Sequence, residues 1–167
     1  KDDFPDLIVG TRQAVIYLIT AQADRTWNKT KLAAAFSASH VAVGDLNGDD
    51  QPDLVLTEFT ETHAAGGEQA GTKNTGKNAV RILWNKAGEF HRKRSTSLSA
   101  KYAVASAIGD LDRDGHADIS IATHQSPTEF KGTSFVFLGN GNRTFSRLDH
   151  GIETSGATDV AFVPAEK

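Results

Sequence analysis

The stretch "GDLNGDDQPDLVL" begins at Gly44 and "GDLDRDGHADISI" begins at Gly109, so nearly the same phrase recurs 65 residues apart. A unit repeated in fixed order constrains a fold more than composition does, because each copy must build the same element and bury it against its neighbours. Both copies run in one order: a short apolar run, Gly-Asp, a carboxylate loop, and a second apolar run. A connection follows, then a third run ("NAVRILW" or "TSFVFLGN"), a Gly turn and a last run ("EFHRK" or "RTFSRL"). A partial copy opens the chain, where "DDFPDLIVG" from Asp2 aligns with "DDQPDLVLT" from Asp49 and is followed by "AVIYLI" and "RTWNKTKL". Its loop holds only the late carboxylates. Residues 160–163, "VAFV", read as the opening strand of a further unit.

Each unit offers four short runs rich in Val, Ile, Leu, Phe and Thr, separated by Gly, Asn and Asp, which is the pattern of consecutive antiparallel strands. Helical periodicity is nearly absent. The Ala-rich "TKLAAAF" from Thr30 is short and falls where the other copies end a fourth strand, so it reads as strand end plus loop. Four-stranded sheets repeated radially are propeller blades. The expected fold is all-β: a β-propeller segment of about three four-stranded antiparallel blades. Residues 1–40 form a partial blade, 41–103 and 104–159 two further blades, and 160–167 the first strand of a next one.

Composition narrows the function classes. The 167 residues carry 18 basic and 21 acidic side chains, a net charge of -3, and 38% hydrophobic residues, as a folded domain does. No basic stripe marks a nucleic-acid surface, and no window approaches the 18 apolar residues of a membrane span. The expectation is therefore no nucleic acid and no membrane insertion. The absence of cysteine removes thiolate metal sites and thiol nucleophiles, so any metal must be held mainly by oxygen. There is also no methionine, even at position 1, which fits a processed or excised piece of a longer product.

The loops supply oxygen at regular intervals. Asp110, Asp112, Asp114 and Asp118 follow D-x-D-x-D-G-x-x-D, which brings alternate carboxylates and one backbone carbonyl, that of His116, around a single point. The first loop offers Asp45, Asn47, Asp49 and Asp53 with the Gln51 carbonyl. Calcium takes irregular cages of six or more hard oxygens more readily than magnesium does. An EF-hand would need a Glu at the twelfth loop position and flanking helices, but those positions hold Leu56 and Ile121 inside strand-like runs. Asp2 and Asp6 form at most a partial third site. Asp50 stands where the other loop has Gly115, and Asp tolerates left-handed backbone less well than Gly, which predicts weaker binding at the Asp45 loop.

"VAVGDLNGDDQPDLVL", "AIGDLDRDGHADISI", "FLGNGNRTF" and "LWNKAGEF" together resemble the FG-GAP and VCBS repeats, the β-propeller units of integrin α-chain heads and of many secreted proteins. The resemblance covers essentially the whole chain. It implies that each carboxylate loop joins the inner and second strands of a blade and binds calcium through the residues named above. The cation would be structural, since filling the cage neutralises clustered Asp side chains and leaves little room for substrate.

The other residues argue for binding rather than catalysis. No histidine has a Ser, Cys or second His at a catalytic spacing, so the chain shows no catalytic constellation. Residues 60–77 make an insertion between the second and third strands, and long loops on rigid scaffolds are where binding concentrates. Such connections emerge on the face opposite the carboxylate loops, and Glu58, Glu61, His63 and His124 there outline a partner-binding rim. Two Asn-x-Thr sequons, at Asn28 and Asn142, would accept glycan in a secreted eukaryotic protein. The reading is a calcium-stabilised, non-catalytic binding or adhesion module, extracellular, at a cell surface or periplasmic. Its partners would be a protein or glycan ligand and other propeller blades from the same or another chain. The alternatives are the propeller portion of a secreted carbohydrate-acting enzyme, or a lectin-like module with Trp27, Trp84, Tyr17 and Tyr102 as stacking faces.

Overall fold

A computed structural model describes residues 4–11, 13–32, 36–58, 79–124 and 132–163. Their regular elements are all β-strands, joined in order into three antiparallel sheets, and no helix among them is long and apolar enough to cross a membrane. The first sheet holds β1 (Leu7–Gly10), β2 (Ile16–Ala21) and β3 (Trp27–Lys31). The second holds β4 (Ala38–Gly44), β5 (Asp53–Glu58), β6 (Ala79–Lys86) and β7 (Glu89–Ser99) in sequence order. The third holds β8 (Ala103–Gly109), β9 (Asp118–Thr123), β10 (Gly132–Gly139), β11 (Phe145–Arg147) and β12 (Ile152–Thr154).

Among the described residues, the four places of the repeat unit are each filled by one strand in the middle sheet. The first sheet has three strands because its carboxylate motif leads into β1, which matches β5 and β9, the second strands of the other sheets. In the third sheet β11 and β12 pair with the two ends of β10 in tandem, Phe137 with Arg147 and Thr133 with Glu153. They share the place that β7 fills as one strand of 11 residues. The stretch from Thr30 behaves as expected at its start, with Thr30 and Lys31 closing β3.

Two cores separate the three sheets, and β5 feeds both. Leu54 and Leu56 point to one side and pack with Ile16, Phe36 and Leu83. Val55 points to the other and packs with Val80, Ile82, Trp84, Ile119 and Phe137. Alternating side chains of a strand leave on opposite faces, so an unbroken apolar run is what a sheet covered on both faces requires. The run "LVL" after Asp53 is that signature, and its three residues are at most 1% exposed. By contrast β3 is exposed along its whole length, as one strand at the outside of the assembly.

Inner strands meet through glycine. Gly44, at the end of β4, has Ile108 so close that an added Cβ would lie 2.9 Å from its Cγ2. Gly109, at the end of β8, stands in the same relation to Phe162, whose ring would lie 2.5 Å from such a Cβ. Phe162 thus takes the place that Ile108 takes one sheet earlier. Residues 160–163, expected as an opening strand, carry this contact but form no ladder among the described residues.

Candidate metal centres

Both carboxylate loops join a first strand to a second: residues 45–52 link β4 to β5 and residues 110–117 link β8 to β9. The two ends of each loop are fixed differently. The first Asp organises the turn, and Asp45 shows this fully: its Oδ1 accepts the N–H groups of Asn47, Gly48 and Asp49 at 3.2, 2.8 and 3.3 Å, and its Oδ2 that of Asp50 at 2.7 Å. Burial pushes this carboxyl up, but the four N–H donors outweigh it and hold the pKa below the ordinary Asp value. Asp110 is simpler, with its Oδ2 accepting Gly115 N–H at 3.0 Å.

The last Asp ties the loop to the sheet. Asp53 Oδ2 accepts Leu46 N–H at 3.2 Å while its Oδ1 accepts Asn85 N–H, at the far end of β6, at 2.8 Å. Asp118 repeats this with Leu111 N–H at 2.7 Å and Gly139 N–H at 2.9 Å. Asp6 makes the corresponding bond to Ala21 N–H at 3.3 Å, so even the partial copy keeps the tie. Among the described residues, Asp53 and Asp118 are the two buried charged side chains, at 0% and 1% exposure. Burial is the main cause of the raised pKa of Asp53; the two N–H donors oppose it, and the negative charges of Asp49 and Asp45 add to it. A cation in the loop would counter both the burial cost and the like-charge repulsion.

The donor set suits a hard divalent cation. Asp110, Asp112 and Asp118 each place a carboxylate oxygen within 4.8 Å of the others. Each carboxylate oxygen has two acceptor sites, so the backbone bonds to Asp118 leave capacity for a metal. Asp114 lies outside that cluster and instead accepts His116 N–H at 2.8 Å, while its own N–H goes to Asp112. In the first loop Asn47 replaces Asp112. Its Oδ1 accepts Asp49 N–H, and its Nδ2 is buried without a hydrogen-bond partner, a polar atom that the loop's own bonds leave unmatched. Gln51 has a second use: its side-chain oxygen accepts Ala87 N–H, which ties the loop to the β6–β7 turn. The two loops face a shared cavity of about 240 Å3, lined by Asp45 and Gly48 from one and by Asp110, Gly115 and His116 from the other.

Backbone strain does not separate the loops as the sequence suggested. Two positions are left-handed in each, Gly48 and Asp50 at φ 73° and 60°, and Arg113 and Gly115 at 63° and 87°. Each loop therefore carries one non-glycine residue in that region, at different positions. Arg113 matches Asp50 in this respect, so a left-handed non-glycine residue does not set the Asp45 loop apart as the weaker one.

The opposite end of the sheets carries the other expected residues. Glu58 does not stand free for a partner: its Oε1 takes Arg81 Nε at 3.1 Å across β5 and β6. The His124 backbone N–H goes to Tyr102 O at 2.9 Å. Glu61, His63, Asp2 and the 60–77 insertion lie outside the described residues. Of the aromatic side chains, Trp84 is buried against Phe145, centroids 6.4 Å apart, and so presents no stacking face, whereas Trp27 is 58% exposed.

Two residues with a place in this architecture escaped the sequence reading. His40 on β4 accepts Ser106 N–H of β8 through Nδ1 at 3.3 Å, joining two sheets. Arg143, in the β10–β11 turn, reaches Asp49 in the neighbouring sheet at 3.7 Å. Neither has a local sequence signal, because each acts only on a residue of another unit.

Comparison with known proteins finds integrin α-chains among the relatives of this chain. The chain is 28% identical to human integrin alpha-IIb over 136 residues, covering 77% of this chain and 13% of that protein. It is 31% identical to integrin alpha-4 of Xenopus laevis over 111 residues, 65% of this chain and 10% of that protein. It is 27% identical to integrin alpha-V of Gallus gallus over 145 residues, 76% and 14% respectively. The chain thus spans a small fraction of the length of these relatives. No family model matches it.

Proposed function

We propose that this chain, which is similar to integrin α-chains over about two thirds to three quarters of its length, is a calcium-stabilised stretch of FG-GAP-type β-propeller serving as a non-catalytic adhesion or binding module outside the cytoplasm. The observation that carries the reading is the convergence of Asp110, Asp112 and Asp118 within 4.8 Å in a loop whose geometry recurs at Asp45–Asp53.

Calcium would be held by Asp110, Asp112, Asp114, Asp118 and the His116 carbonyl in one loop, and by Asp45, Asn47, Asp49, Asp53 and the Gln51 carbonyl in the other. When bound, it supplies positive charge where buried carboxylates gather. The chain's own part is to fix the donors in advance: Asp53 and Asp118 are anchored by two backbone N–H groups each, and Asp45 by four. Ordering the loop in this way lowers the entropy cost of closing it around an ion. The role is structural because the loops also hold the sheets in register, through Asp118 to Gly139 and Asp53 to Asn85.

The partner surface is the opposite end of the sheets, from which the 60–77 insertion departs, and the partner is a protein. The relatives are integrin α-chains, and the buried place of Trp84 removes one of the aromatic faces a glycan would need. The remaining blades come from the same or another chain.

Thermal unfolding of the 167-residue chain with and without calcium tests the metal reading. Chelation is expected to lower the melting temperature, calcium to restore it, and Asp112→Ala to abolish much of the restoration by removing a converging ligand that makes no tie to the sheet and accepts only Asp114 N–H within the loop. A melt indifferent to calcium and chelator would overturn it.

A further inference from the structure

The two loops differ in what stands over their fifth positions. Asp49 turns Oδ1 to the Gln51 N–H at 3.0 Å and Oδ2 to Arg143 Nη2 at 3.7 Å. Asp114 of the other loop has no cationic side chain within 4.0 Å among the described residues. Arg143 belongs to the next sheet, in the β10–β11 turn, where its backbone is left-handed at φ 70°. Its guanidinium also lies over the Trp84 ring, 5.2 Å from the centroid. Trp84 cannot move aside, since it is buried, stacks on Phe145 and donates its indole N–H to Thr96 Oγ1 at 3.0 Å. The arginine therefore has two resting partners, a partly exposed loop carboxylate and a fixed aromatic face. The ion pair is half exposed, 47% and 32% on its two sides, and such a pair is weak enough for a divalent cation to displace.

Resting on the calcium reading above, we propose that Arg143 is a built-in counter-ion of the 45–53 loop. It neutralises Asp49 when no metal is bound and yields it to the incoming cation, staying on Trp84 by its cation–π contact. Two consequences follow from the geometry. The 45–53 loop binds calcium more weakly than it would without the arginine, and the 110–118 loop does not feel it. Binding in the middle sheet also changes the surroundings of a tryptophan packed against the third sheet, so the state of the loop is read across the sheet boundary.

Calcium titrations of the full chain, followed by calorimetry and by tryptophan emission, test this with Arg143→Gln and Arg143→Lys in an Asp112→Ala background that isolates the 45–53 loop. Arg143→Gln is expected to tighten calcium binding by about two- to fivefold, the worth of a half-exposed ion pair, and to diminish the calcium-induced change in emission. Arg143→Lys, which keeps the charge, is expected to retain the weaker affinity. With Asp112 intact and Asp45→Ala instead, Arg143→Gln should leave affinity unchanged. Calcium binding of equal strength in the Gln variant overturns the counter-ion role alone. No binding by any chain, the unmutated one included, overturns the calcium reading and this inference with it.

Discussion

The Asp53 carboxylate accepts the backbone N–H of Asn85 across 32 residues of sequence, and in doing so fastens the start of the second strand of its sheet to the end of the third. With Leu46 N–H on the other oxygen, the side chain needs two acceptors on two atoms. Asn offers one acceptor atom and would point an NH2 at the other donor. Asp53→Asn is therefore expected to cost about 1–3 kcal/mol even in the presence of a chelator, the penalty of a buried donor left without a partner. Urea unfolding in EDTA measures this metal-independent part.

The loops' left-handed positions give a prediction of opposite sign. Asp50 and Arg113 sit at φ 60° and 63°, where a side chain costs roughly 1–2 kcal/mol and glycine does not. Glycine gives back about 0.5–1 kcal/mol of that through its freer unfolded chain. Asp50→Gly and Arg113→Gly are each expected to raise stability by up to about 1 kcal/mol, seen as a higher urea midpoint at unchanged slope.

The pH dependence of the metal-free chain should show two carboxyls pulling against each other. Asp45 has its folded pKa below the ordinary 3.8, so its stabilising contribution is present above that value and is lost as pH falls through the lowered one. Asp53 has a raised pKa, so its relative contribution is full below 3.8 and is lost as pH rises through the raised one. Difference profiles settle the signs: wild type minus Asp45→Asn should grow with rising pH in the acid range, and wild type minus Asp53→Asn should shrink. Calcium should flatten the second profile, because it favours the ionised form.

Packing between inner strands predicts a coupled pair. Gly44→Ala forces its new Cβ toward Ile108 and is expected to cost about 1–3 kcal/mol, as overpacking does. In an Ile108→Ala background the same change should cost less, so the double-mutant cycle should show a favourable coupling energy. Additive losses would mean that the two strands simply move apart.

Much of this architecture is readable within one unit of sequence. The D-x-D-x-D-G-x-x-D spacing, the run "LVL" after Asp53 and the turn glycine at 115 each encode something local: a ligand array, a strand covered on both faces, a left-handed turn. What lies between units is silent. His40 finds Ser106 across 66 residues, and nothing in "SASHVAV" distinguishes a histidine that accepts a neighbour's N–H from one facing water. Asp50 misled for the opposite reason. Its departure from glycine is visible, but the compensating departure at Arg113 matters only once both backbones are seen to turn left-handed twice. The third sheet's divided outer edge likewise depends on how β11 and β12 share β10, which no short window records.

A strand whose neighbouring residues answer to different cores has a consequence for how the molecule comes apart. Leu54 and Leu56 lose their cross-sheet partners such as Ile16 if the first sheet departs, and Val55 loses Ile119 and Phe137 if the third does. Unfolding should therefore travel inward from the exposed margins. Amides of β3 should exchange with solvent first and those of β5 and β6 last, through the opening of the whole assembly. Covering the outer sheets, whatever supplies the cover, would lengthen the lifetime of β5 without touching it, so the middle sheet reports the completeness of its surroundings in the slowness of its exchange.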